Sequence, residues 1–171
     1  MQSYMKAQVP DDYLREIGSV TVTWSLLESV LDFSLMKLSG KDISEPISWI
    51  IFAHMTFPLK MDVMGALIEQ LQPGYPGLKR YPEVRDLIKE AQRVRNKVVH
   101  SKWGFDVELN AVARSTFSAR GKLKTEVQPV DLKELEQASE TIGRAGTELY
   151  RFIILSSDYD GDTSHLQIDP K

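Results

Sequence analysis

Arg95, Asn96 and His100 are the residues of this chain whose types and spacing could do chemistry together, within the run Arg95-Asn96-Lys97-Val98-Val99-His100. A neutral imidazole, with a reference pKa near ~6.5, can take a proton from a hydroxyl close to neutral pH. A guanidinium keeps its charge throughout and can clamp two phosphoryl oxygens as negative charge builds on them. Asn96 can hold the imidazole tautomer or donate to a phosphate oxygen. The chemistry such a set supports is phosphodiester transfer without a metal, with an RNA 2′-hydroxyl giving up its proton to His100. An Arg and a His five apart on a helix are common, so a purely structural arrangement competes. In that arrangement Arg95 pairs with a carboxylate and His100 caps the helix end.

The element that must position these groups is a helix predicted to open at Pro82 and run to about Trp103. On a wheel of about 100° per residue with Val84 at zero, Leu87, Ile88, Ala91, Val94, Val98 and Val99 fall within roughly 140°. Arg95 lands at about +20°, inside this apolar stripe. A guanidinium aimed at a core is costly unless its fork is paired or faces a cleft, which makes Arg95 the clearest local contradiction in the chain. Glu28, at about 80° on the first helix's wheel when Val20 is zero, is the expected internal partner. Asn96 and His100 are four apart and share a face. Arg95 and His100 are separated by about 7.5 Å along the axis and ~140° around it. They converge only through the length of the Arg side chain, or through a second copy of the motif brought by a partner subunit. Lys102 and Trp103 follow directly, and Trp103 can form a wall of the site.

Four long helical segments are predicted by apolar periodicity. The first, about Asp11 to Leu38, carries Tyr13, Ile17, Val20, Trp24, Leu27, Leu31, Leu35 and Leu38 at spacings of three and four and stops at Ser39-Gly40. The second begins after Ser44 with Pro46 in its first turn, breaks near Met55 to Phe57 because of Pro58, and restarts with Leu59, Val63, Ala66, Leu67 and Leu71 inward. A turn-rich loop, Gln72 to Gly77, precedes the helix that carries the motif. From Gly104 to Val130 no helical period is present; Ala111 to Ser118 and Lys122 to Gln128 read as two strands around Ala119-Arg120-Gly121. Asp131 caps the last helix, with Glu134 as the acidic member of a box-like start. The expected fold class is all-α, an up-and-down four-helix bundle with a β-hairpin (about 110–128) inserted before the last long helix. Residues 1–156 are expected to form one domain and 157–171 a polar tail.

Composition narrows the classes. The 171 residues are 42% apolar and 26% charged, ordinary for a globular chain, and contain no Cys, which excludes disulfides and thiolate metal sites. No run approaches the ~20 apolar residues of a membrane span, and Met1 to Pro10 lacks the layout of a secretory signal. A cytoplasmic protein is expected. The net charge of -3 conceals a basic segment: Lys79 to Glu126 holds twelve Lys/Arg against six Asp/Glu. Such a segment can attract a polyanion locally. Arg93, Lys97, Lys102, Arg114, Arg120, Lys122 and Lys124 are its candidate RNA contacts, with Phe117 placed for stacking. His54 and His165 are isolated, and the Asp158, Asp160, Asp162 series has Thr163 where a calcium loop needs Gly, so neither a metal nor a cofactor is expected.

Arg-Asn-(three residues)-His near the end of a helix in a helical bundle resembles the Arg-X4-6-His signature of the HEPN superfamily, in which the residue after Arg is typically polar. The stretches Trp24 to Leu38 and Arg93 to Trp103 are similar in character to the matching helices of that family. The resemblance implies a homodimer whose two motifs face a shared cleft, and metal-independent RNA cleavage in toxin or phage-defence systems, with an antitoxin protein as a further partner. It also implies roles: His100 as general base, Arg95 as phosphate stabiliser, Asn96 as positioning residue. Some members are inactive or only bind nucleotides. The alternative class is therefore a non-catalytic helical dimer that binds a protein partner, a nucleotide or RNA.

Overall fold

The computed structural model of the chain describes residues 9–41, 46–118 and 124–155. Among them are five α-helices, α1 (Asp11–Leu38), α2 (Pro46–Ala53), α3 (Phe57–Leu71), α4 (Tyr81–Val99) and α5 (Leu132–Leu155). A 3-10 turn, Pro76–Arg80, leads into α4. Three strands lie between α4 and α5: β1 (Lys102–Asp106), β2 (Ala111–Ser118) and β3 (Lys124–Pro129). The chain is thus predominantly helical with one small sheet. No helix among the described residues is long and apolar enough to cross a membrane.

The helix limits follow from local chemistry. Asp11 and Asp12 sit at the positive end of α1 and Lys37 at its negative end. Its stop is at Gly40, whose φ of 65° only glycine takes readily, with the Lys41 amide returning to the Met36 carbonyl at 3.1 Å. Pro58 stands in the first turn of α3, where its missing N–H costs nothing, and the chain breaks at residues 54–56 as expected. Asp131 caps α5: its Oδ1 accepts the Lys133 amide at 3.1 Å.

The described chain divides into two compact units. The first comprises residues 9–24 and 90–142, and the second residues 25–89 and 143–155; α1, α4 and α5 contribute to both. In the first unit the sheet is an antiparallel meander in the order β1-β2-β3. Trp103 pairs with Arg114 and Arg114 with Gln128 in its register. Val20, Trp24, Ala91, Val98, Val112, Leu135 and Ile142 are among its buried apolar residues. The second unit has a larger apolar core of Leu27, Leu31, Leu35, Met64, Ile68, Leu78, Ile88, Leu149 and Phe152.

Three expectations about elements are corrected. Helix α4 ends at Val99, and Trp103 belongs to β1, a strand too short to show a period of its own. The inward face of α3 is set by Lys60, Met64, Ile68 and Leu71, whereas Leu59 is exposed. The phase shifts because Lys60, buried, makes an ion pair with Asp32 at 2.6 Å inside the second unit, and a buried ammonium is tolerable only when paired. Glu134 does not complete a capping box; its carboxylate is taken by Arg114. The expected turn at 119–121 and the tail from 157 lie outside the described residues.

Candidate functional site

Arg95, Asn96 and His100 come together on one chain. Helical geometry sets Arg95 and His100 on different faces, but α4 ends at Val99 and His100 occupies the turn that follows. Its amide still returns to the Asn96 carbonyl at 3.2 Å, which keeps the ring beside the last turn. The Arg95 side chain spans the remaining separation. Arg95 Nη1 donates to Asn96 Oδ1 at 3.1 Å and reaches His100 Nε2 at 3.0 Å. A guanidinium has no acceptor, so His100 Nε2 must be the acceptor and Nδ1 the protonated nitrogen. The geometric reason for a partner's copy of the motif is thereby removed: Arg length suffices.

The cost of Arg95 on an apolar stripe is met by stacking. Its guanidinium carbon lies 5.5 Å from the centroid of the Trp24 ring, which is buried in the same unit. Cation–π attraction favours this placement and leaves the fork pointing outward. Its Nε is buried without a hydrogen-bond partner, an imperfection that native structures tolerate mainly where something else is gained. Arg95 makes no ion pair among the described residues. Glu28, its expected partner, belongs to the second unit and likewise makes no ion pair among the described residues. The positive charge of Arg95 is thus held by two neutral groups and an aromatic face.

Trp103 holds the end of α4. Its indole Nε1 donates to the Val98 carbonyl at 2.8 Å, satisfying one of the orphan acceptors at the end of α4. The Ser101 hydroxyl does the same for the Lys97 carbonyl. These two bonds anchor the turn that carries His100.

The expected RNA contacts separate into groups. Arg93, Lys97 and Lys102 are exposed. Arg93 holds Glu90 through an Nε–Oε2 bond of 2.8 Å, and this pairing keeps the Glu90 carboxyl below its ordinary range. Arg114 is a correction. It is buried, with only 7% of its surface exposed, and its fork donates to Glu134 Oε1 at 2.7 Å and Gln128 Oε1 at 3.0 Å. It ties β2 to β3 and to α5 and is not an exposed basic contact. Arg120 and Lys122 lie outside the described residues, as do the side chains of Lys124 and Phe117.

Each unit has cavities among its described residues. In the first unit one of about 210 Å³ lies between α4 and α5 and is reached from Arg93 and Lys97. Gln137 and Thr141 in its lining were not anticipated; each is an ordinary polar residue on the outer side of a helical stripe, with no sequence signal. The second unit has a cavity of about 380 Å³ beside Tyr81, Gly65 and Arg85. Burial pushes the Tyr81 hydroxyl up to about 12, so it remains a proton donor at neutral pH. No family model, curated protein or solved structure matches the chain.

Proposed function

We propose that this chain is a HEPN-like, metal-independent endoribonuclease that cleaves RNA by attack of the 2′-hydroxyl on the adjacent phosphate. The observation that carries the reading is the convergence of Arg95 Nη1 on both Asn96 Oδ1 and His100 Nε2, with no carboxylate among the described residues to neutralise it. A phosphate oxygen is the natural acceptor for a guanidinium in that condition. When a phosphate takes the fork, Nε2 of His100 is released, already unprotonated, to accept the 2′-hydroxyl proton. Arg95 then stabilises the charge that builds on the phosphoryl oxygens as the new P–O bond forms and the 5′-oxygen leaves. Asn96 steers the guanidinium from one side. The exposed Arg93, Lys97 and Lys102 draw in the strand. In the terms of the resemblance, the helices form a four-helix bundle, two copies associate as a homodimer, and an antitoxin protein restrains the toxin or phage-defence activity.

A second reading is a non-catalytic dimer that binds a nucleotide, RNA or a protein. It is favoured by one feature: His100 Nε2 is occupied by Arg95. The test is cleavage of a mixed RNA pool in the presence of chelator, by the parent and by His100→Ala. Products with cyclic phosphate ends, reduced about 100-fold or more by the substitution, are expected. Equal cleavage by both proteins removes His100 from the mechanism, and RNA binding without cleavage favours the second reading.

A further inference from the structure

We infer that the cleft between α4 and α5 in the first unit is a base pocket that takes guanine; placing that guanine on an RNA strand rests on the ribonuclease reading above. Its volume, about 210 Å³, is below the ~300–1,000 Å³ of sites for drug-sized ligands, which suits one base and not a whole nucleotide. Val94, Val98 and Ala138 supply apolar walls. A phosphate would gain nothing from those walls, and of the cations lining the cleft Arg93 and Arg114 are already paired with Glu90 and Glu134, whereas a base has a π-face to lay on them.

The polar groups of the cleft select among bases. Arg114 and Glu134 satisfy each other through Glu134 Oε1 at 2.7 Å, and Glu134 Oε2 has no hydrogen-bond partner among the described residues. The Lys97 ammonium and the Gln137 amide, both lining the cleft, also have none there. The cleft therefore presents one carboxylate acceptor beside an ammonium and an amide able to donate. Guanine matches this set. Its N1–H and N2–H donate to a carboxylate, and its O6 and N7 accept from cationic and amide donors. Uracil has a single ring donor between two acceptors, and adenine and cytosine lack the paired donors.

The cleft is also placed to serve the chemistry. Lys97 lies in the last turn of α4, and the His100 amide bonds back to the Asn96 carbonyl of that same turn. Arg95 and His100 do not themselves line the cleft, so on the ribonuclease reading a base held there would fix the position of the strand beside them and set which linkage is cut.

The experiment is calorimetric titration of the full chain with the four nucleoside 3′-monophosphates at low salt. Guanosine 3′-monophosphate is expected to bind about tenfold tighter than the other three, the discrimination of one good bidentate contact. Lys97→Gln and Gln137→Ala, both on exposed side chains, are each expected to weaken it several-fold with unchanged circular dichroism. Equal affinity for the four, binding to none, or unaltered binding by both variants overturns the pocket. Guanosine binding without RNA cleavage keeps the pocket and overturns the ribonuclease; cleavage with no guanosine binding does the reverse.

Discussion

Arg95 and Arg114 are both arginines of the basic segment, both in the first unit and both turned toward apolar surroundings, yet the fold treats them oppositely. Arg114 is closed in by Glu134 and Gln128, charge against charge. Arg95 is laid over Trp24 with its fork on an amide and an imidazole. A guanidinium neutralised by a carboxylate holds elements together and has little left to offer a ligand. One held by neutral groups keeps its charge available and its geometry fixed, which is what an anion-binding catalyst requires. Arg93 is a third case: compensated by Glu90, but exposed, so its pairing is worth little to stability.

The largest effect that tests this contrast is Arg95→Ala. RNA cleavage is expected to fall about 100- to 1,000-fold, the loss of a donor aimed at developing charge. The urea midpoint should correspond to less than about 1 kcal/mol of lost stability, the scale of a cation–π contact. A loss of several kcal/mol would place Arg95 with Arg114 as a structural arginine and end the contrast. Glu134→Ala should do the converse, costing about 2–3 kcal/mol in urea denaturation because it strands a buried guanidinium, with the half-exposed carboxylate keeping the figure below that of a fully buried pair. Stability unchanged by that substitution would show that Arg114 finds another acceptor.

Asn96→Asp sharpens the comparison without altering shape. It sets a carboxylate beside Arg95 and so makes that arginine resemble Arg114. RNA affinity is expected to drop about tenfold while stability holds, since an opposite charge at contact distance competes with the phosphate. Affinity equal to the parent's would mean that the charge of Arg95 does not govern binding. The smallest effect concerns Arg93. The Glu90 carboxyl, held low chiefly by its hydrogen bond to Arg93, should titrate at higher pH in Arg93→Gln, as followed by NMR. An unchanged titration would mean that this surface pair does not persist in solution.

Much of this site is legible in the sequence. Placing Arg95 on the wheel of α4 showed an arginine inside an apolar stripe, and a side chain in that position needs a special neighbour. Trp24 was legible too, as a member of the α1 stripe, but not as the surface beneath Arg95. The turn at His100 is not legible in the sequence, because the helical pattern extends on to Trp103. The alternation of β1, with Trp103 and Phe105 on one side and Asp106 on the other, is only five residues long and is easily absorbed into a preceding helix.

What the sequence determined by itself is what depends on neighbours along the chain. The helical stripes of α1 and α5, the break at Pro58, the stop at Gly40, the Asp131 cap and the Arg95-Asn96-His100 spacing all follow from periodicity, backbone freedom and local hydrogen bonding. Tertiary structure alone decided which charges are neutralised. Arg114 and Glu134 are 20 residues apart in the chain, and neither residue's type reveals that the other will meet it. Lys60 turned inward for the same reason, to reach Asp32 on another helix. Burial of a charge is settled by the partner that the fold brings to it, and that partner lies beyond the range over which a helical or strand period carries information.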